Sequence, residues 1–184
     1  ERFREAIPYL NNVVNATGQA LQVYPPLPNG GFNTGTTTDL NLEAAQSAPN
    51  ATTTGNIILT LPANSPVPTA APFDPTNPDT YTESTSTTVY DSLGNASPAT
   101  FFFTQTATPN QWTVNMTVNG TVVGTPQTLT FSNTGAVTAP VGGALAFNGY
   151  APTDGAAGMN MSFNFGKSTQ YGGGFGVTSI IQDG

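Results

Sequence analysis

Histidine and cysteine are absent from this chain, and only three basic residues, Arg2, Arg4 and Lys167, occur in its 184 positions. Without histidine the chain lacks the side chain that most readily moves protons near neutral pH. Without cysteine it has no thiolate nucleophile and no disulfide, and the two absences together remove the usual zinc ligands. A small secreted domain stapled by disulfides is thereby excluded. A bacterial surface protein that folds without oxidation fits better. No cation lies between Glu5 and Gly166, and the formal net charge is −7. Nucleic-acid binding works by neutralising phosphates with Lys and Arg, so nucleic acid is excluded as a partner. An anionic membrane surface is disfavoured on the same ground. No apolar run approaches the roughly 18 residues of a membrane-spanning helix. The opening Glu1-Arg2-Phe3-Arg4-Glu5 contains neither an initiator Met nor an apolar signal segment, and is expected to be the start of an excised or processed piece.

What the chain does contain is a neutral polar vocabulary: 31 Thr, 18 Asn, 20 Gly and 16 Pro, with only 7% of residues charged. Low charge with abundant Gly and Pro is a trait of disordered chains, but those keep few aromatic and β-branched residues. Here 37% of residues are hydrophobic and 10% aromatic, enough for a modest core. The length suits one domain, or one domain with a piece of another. Threonine is β-branched and sits well on a pleated strand, and its hydroxyl hydrates an outer face without charge.

Along the first 24 residues, short apolar pieces (Ile7 to Leu10, Val13-Val14, Leu21 to Tyr24) are punctuated by turns at Asn11-Asn12 and Ala16-Thr17-Gly18. Glu1 to Ala6 is expected to form at most one helical turn before Pro8. Pro25 to Gly31 is a breaker cluster, Leu40-Asn41-Leu42 alternates, and Ala44 to Asn50 reads as a linker. From Thr52 onward strand patterns become regular: Asn56 to Leu61, Thr85 to Tyr90, Thr100 to Thr104, Trp112 to Val118, Thr121 to Val123, Gln127 to Phe131, Ala136-Val137, Met159 to Phe165 and Phe175 to Ile181. Between the first two lies Pro62 to Asp79, with six prolines, expected to run over the surface and bury little. Alternation places Trp112, Val114, Met116 and Val118 on one face, and Met159, Met161, Phe163 and Phe165 on another. Asn119-Gly120 between two β runs is a strong hairpin signal. Turns every 8 to 14 residues with almost no helical period indicate an all-β, antiparallel sandwich or barrel.

Candidate chemistry is sparse. Paired carboxylates can hydrolyse a glycosidic bond, and the nearest candidates are Asp74 with Asp79, or Asp91 with Asp154. Each reads more simply as a turn residue. No Asp-x-Asp-x-Asp-Gly calcium loop is present. Ser and Thr hydroxyls have no nearby base to activate them. Tyr171 to Gly176 is glycine-rich but lacks the lysine and the strand-to-helix setting of a phosphate loop. Six Asn-x-Ser/Thr triplets occur, a number that so much Asn and Thr produces by chance. The sequence therefore assigns no catalytic, cofactor-binding or metal residue, and no cofactor. An open alternative is a carbohydrate-binding or adhesin-like β module that uses Trp112 or the tyrosines as stacking platforms, against the reading of Trp112 as core.

One ordered series of segments goes further. Thr88-Val89-Tyr90-Asp91-Ser92-Leu93-Gly94-Asn95, leading to the aromatic strand Phe101 to Phe103 and then to Trp112, resembles the bacterial flagellar hook protein family. Upstream, Ala51 to Thr54, Asn64 to Pro68, Pro72-Phe73 and Asp79-Thr80-Tyr81 follow the order of that family. So do Val13 to Gly18 and Leu21 to Pro25. Downstream, Leu129-Thr130-Phe131, the turn Asn133 to Gly135, Ser168 to Gly172 and the closing Gln182-Asp183-Gly184 are similar to it. Where the family usually has His after Gly-Asn, this chain has Ala96-Ser97.

The resemblance implies a structural role: a subunit of the flexible helical tube that joins rod to filament as a universal joint. It implies that residues 45–184 are an outer surface β domain and residues 1–44 part of an inner domain of the tube wall. Implied partners are further hook subunits, with rod, hook-cap and hook–filament junction proteins at the ends. The implied location is extracellular, reached by export without a cleaved signal peptide. The terminal helices that drive polymerisation in this family are expected to lie outside this chain, which by itself is expected to be a monomer without enzymatic activity.

Overall fold

The computed structural model describes residues 12–28, 30–42 and 48–184. The expected helical turn at Glu1 to Ala6, the apolar piece Ile7 to Leu10 and most of the Ala44 to Asn50 linker lie outside the described residues. The chain divides into two compact units, Glu1–Ala48 and Pro49–Gly184.

In the first unit β1 (Gln22–Val23) pairs antiparallel with β2 (Thr38–Asp39). Isolated bridges join Asn12 to Asn41, Val14 to Ala20 and Pro26 to Phe32. The Ala16–Gly18 turn forms as the sequence indicates. Asn15 Oδ1 accepts from Thr17 N, Thr17 Oγ1 and Gln19 N at 2.8–3.0 Å, so a side chain takes the place of a backbone acceptor. Asp39 accepts from the Gln22 and Asn12 amides across the small sheet.

The second unit is all-β apart from two single 3₁₀ turns, at Pro78–Thr80 and Val141–Gly143. Its first sheet is a five-stranded antiparallel meander in the order β4 (Glu83–Tyr90), β5 (Ala96–Gln105), β6 (Gln111–Val118), β7 (Thr121–Phe131), β8 (Val137–Ala139). The β6–β7 turn is the Asn119-Gly120 pair, at φ +50 and +78, the left-handed values this two-residue hairpin loop requires. Asn119 is held by its Nδ2, which donates to Ser97 Oγ and the Tyr150 hydroxyl. Thr121 to Val123 and Gln127 to Phe131, two pieces in the sequence, form one strand interrupted by a bulge. Met116 pairs with Val123 and Val114 with Gln127, so Gly124-Thr125-Pro126 oppose Asn115 alone. Pro126, which has no N–H to give the ladder, sits in that bulge.

The second sheet is mixed. Its centre is β3 (Thr54–Pro62), which pairs antiparallel along one edge with β12 (Gly176–Gln182). On its other edge it pairs parallel with β10 (Met159–Asn164) and then with β11 (Thr169–Tyr171). β9 (Ala144–Tyr150) completes the sheet against β10. The sequence showed neither β9, β11 nor the parallel pairings. β7 lies beside β9 and β12 approaches β4, so the two sheets curl toward each other at both sides.

Between them lies one hydrophobic core. The expected inward set of β6, Trp112, Val114, Met116 and Val118, is fully buried, and so are Met159, Met161, Phe163 and Phe165 to within 3%. Phe101 is a hub, its ring edge-to-face with Phe163 at 4.8 Å and with Phe147 and Phe165 at 5.8 Å, a geometry that adds to plain area burial. Asn115 and Thr117, expected to face solvent, are also buried. β6 is the middle strand of its sheet, so neighbours on both edges cover its outward side chains. The Pro62 to Asp79 segment does more than run over the surface. Thr80 Oγ1 donates to the carbonyls of Asp74 and Asn77 and accepts from Asp74 N, and this pinned loop carries Phe73 to 5.2 Å from the Phe102 ring. Tyr81 stands edge-on to the same ring at 4.8 Å, so the loop buries the outer aromatic of β5.

Candidate functional site

The carboxylates are placed first by the turns they cap. Asp74 accepts from Thr76 Oγ1 at 2.7 Å and Thr76 N at 2.8 Å, and these bonds hold its carboxyl below the ordinary value. Asp79 contributes its backbone: its N–H donates to Asn77 Oδ1 and its carbonyl accepts from Ala70 N. Asp79 lines a groove that Asp74 does not, so the two carboxyls do not share that cleft. Asp91 and Asp154 are brought together. Asn95 bridges them, its N–H on Asp91 Oδ1 and its side-chain amide on Asp154 Oδ2 at 2.7 Å. Asp91 is 4% exposed and already accepts from Leu93 N. The Ala156 N–H and then the Asp91 carboxyl depress the Asp154 pKa. Glycosidase pairs stand about 5–9.5 Å apart with one acid kept protonated. Here Asn95 ties both carboxyls into one turn, and hydrogen bonds hold the more exposed one below the ordinary value. They close a loop and do not flank a substrate.

Trp112 offers no platform either. Its ring is wholly buried, and its Nε1–H and the Oε1 of Gln105, directly opposite on β5, are buried without hydrogen-bond partners. Among the described residues no group of three or more Asp or Glu gathers where a metal ion would sit. No described helix is long and apolar enough to cross a membrane.

Three surface features of the second unit stand out among the described residues. At one pole the start and end of the second unit are clasped together. Asp183 accepts from Thr53 N, Thr53 Oγ1, Thr54 N and Thr54 Oγ1 at 2.6–3.0 Å. Thr52 Oγ1 donates to Gln182 Oε1 at 3.0 Å and accepts from Tyr90 N. Partial desolvation raises the Asp183 pKa, but the four bonds outweigh it and hold the carboxyl well below the ordinary value. The second feature is a groove of about 370 Å³ beside the start of β4, lined by Pro66, Val67, Pro68 and Tyr81 together with hydroxyl side chains and the acids Asp79 and Glu83. Burial raises the Glu83 pKa. The third is the Val141–Gly143 turn, where Val141 stands 96% exposed.

The clasp gives a signed expectation. A depressed carboxylate contributes stability that is complete above the unfolded-state pKa of about 3.9 and is lost as pH falls toward the lower folded value. Asp183→Asn should therefore cost about 1–2 kcal/mol at pH 6, the low end for bonds to a charged group, because the site is exposed. Denaturant midpoints should show that gap narrowing at pH 3. A gap of equal size at both pH values contradicts the clasp.

Residues 60–184 match the family described as the flagellar basal body protein FlaE D2 domain. The flagellar hook protein FlgE of Escherichia coli (strain K12) is 32% identical over 168 residues, which cover 86% of this chain and 40% of that protein. FlgE of Salmonella typhimurium (strain LT2) is 37% identical over 109 residues, covering 56% of this chain and 26% of its own. The chain thus spans less than half the length of the relatives it matches. Among solved structures, a 32 kDa fragment of FlgE from Caulobacter crescentus covers 55% of this chain and 46% of its own at 16% identity, with a TM-score of 0.44. The family match begins near the end of β3 and takes in every later strand of both packed sheets. Over that span the chain belongs to the flagellar basal body protein FlaE D2 domain family.

Proposed function

We propose that this chain is the outer domain and part of the inner domain of a structural subunit of the bacterial flagellar hook, a flexible helical tube that passes motor torque from rod to filament. The observation that carries the reading is the family match over residues 60–184, joined by 32% identity to a hook protein across 86% of the chain. On this reading residues 45–184 are the outer domain and residues 1–44 belong to the inner domain of the tube wall. The exposed side chains of Leu21, Tyr24, Phe32 and Leu42 in the first unit suit a segment covered by more of that wall. Partners are other hook subunits along the tube, with rod, hook cap and hook–filament junction proteins at its ends. The location is outside the cell, reached without a cleaved signal peptide, and the subunit performs no catalysis.

The surface chemistry suits that task. A joint that flexes while turning needs neighbours that slide. Contacts between hydroxyl and amide groups are individually weak and water replaces them readily. A surface dense in ion pairs would instead fix a register and make flexing depend on salt. Immunogold electron microscopy tests the assignment: antibodies raised against Pro49–Gly184 should label the hook, and hooks left bare would end it.

A further inference from the structure

Val141 is presented by a rigid support. Asn164 Nδ2 donates to Gly142 O and Phe165 N to Gly143 O, both at 2.8 Å. The same anchoring segment continues through Gly166 to Lys167, the one basic residue of the second unit. Lys167 is exposed and pairs with no described residue. The outcome is a firm knob with an apolar tip and a lone positive charge at its base.

The groove beside β4 has the opposite character. Pro66, Val67, Pro68 and Tyr81 give it an apolar lining that hydroxyl side chains interrupt, and Asp79 and Glu83 add negative charge without a cation nearby in the chain. Its volume of about 370 Å³ is ample for a valine side chain. β4 and β8 are the two outer strands of the five-stranded sheet. The groove adjoins the first and the knob follows the second directly. Four strand spacings, about 19 Å, separate the two edges, so a molecule does not fill its own groove.

We propose that the Val141–Lys167 knob of one copy docks in the Pro66–Glu83 groove of a second copy of this chain. Val141 packs on the Pro66, Val67, Pro68 and Tyr81 lining and Lys167 meets Asp79 and Glu83. The inference rests on the hook reading for its setting, in which many copies stand side by side. Because knob and groove are different surfaces, a head-to-tail contact leaves one of each free and repeats from copy to copy along a polymer. It is small, below the size of interfaces that hold alone. The isolated chain therefore stays monomeric at micromolar concentration, where the contact forms only in short-lived encounters that a disulfide can trap, and it is filled where a polymer already brings copies together. Lys167 supplies one attraction that weakens with salt, and a single ion pair per contact is too weak to lock neighbours against sliding.

The chain has no cysteine, so cross-linking reads the contact without background. Val141→Cys and Val67→Cys change exposed side chains and leave the core intact. Mixed in low salt under mild oxidation, the two variants should form the mixed disulfide dimer about tenfold faster than either forms its own homodimer. Adding Lys167→Glu to the first variant, or raising the salt to 0.5 M, should remove most of that preference. A mixed dimer that forms no faster than the homodimers overturns the proposal. With both substitutions in one full-length subunit, assembled hooks should yield a ladder of linked multimers. Hooks that assemble without a ladder overturn this contact and leave the hook assignment standing. Hooks left bare by the antibody remove the assignment instead, and the solution mixture then decides the contact alone.

Discussion

Trp112→Ala should lose about 3–5 kcal/mol of folding stability, the cost of emptying a large core site that relaxes only in part. The indole is 0% exposed, and its strand is paired on both edges, with Gln105 opposite on β5 and Leu129 on β7. The Asn119-Gly120 turn fixes the register of that hairpin, so β6 cannot slip by one residue to hide the defect. Two variants frame the result. Trp112→Phe keeps most of the ring volume and removes a buried N–H that has no partner. An orphaned buried donor costs about 1–3 kcal/mol, so its loss offsets part of the lost packing, and this variant should cost no more than about 1.5 kcal/mol. Thr128→Ala, on the exposed side of β7, should stay within about 0.5 kcal/mol. Denaturant unfolding orders the three. A loss below about 1 kcal/mol for Trp112→Ala would place the ring at the surface and restore the sugar-platform reading.

Gly143→Ala should destabilise by about 2–4 kcal/mol, combining strain at positive φ with an overlap that cannot relax cheaply. Gly143 sits at φ +75, where a side chain is already disfavoured, and a Cβ there would lie 2.3 Å from Gly166 N and 2.4 Å from Gly166 Cα. These are backbone atoms of the segment that anchors the turn, so no side chain can swing away. The effect should reach function as well as stability. Loosening the turn detaches Val141 from its support, so the mixed cross-link should slow even where the variant remains folded. Gly173→Ala is the control, since a Cβ at that position meets nothing within 4 Å. If Gly143→Ala unfolds at the wild-type midpoint, the close approach of the two loops is wrong.

Local patterns carried much of this architecture. Strict alternation in Trp112 to Val118 and Met159 to Phe165 identified two buried faces residue by residue, because a strand's side chains change sides at every step. Asn-Gly located the hairpin, because few other pairs accept two positive φ values. What escaped was non-local or muted. β9 alternates Leu145 and Phe147 against small residues, and Gly149 breaks the period where the β9–β10 register shifts, so its signal is weak. β11 is three residues long. Its parallel partner β3 lies more than a hundred residues away, and no local pattern announces that pairing. β7 read as two pieces because Pro126 interrupts a run that a bulge in fact continues.

The surface sites follow the same division. That Asp74 and Asp91 cap turns was legible from the turn residues around them. That Asp183 seals the unit was not, because its partners Thr53 and Thr54 stand about 130 positions earlier. Nor does sequence reveal that an exposed valine and a lone lysine, 26 residues apart, share one support, since Gly143 and Gly166 meet only in the folded chain.

If Pro49–Gly184 lies on the outside of the hook, gold-labelled antibodies against it will bind intact cells that make the protein. Gold should run along the whole hook, between the cell envelope and the start of the filament, and be missing from cells from which the coding sequence has been removed. Gold on the filament or scattered over the cell surface, with the hook bare, would contradict it.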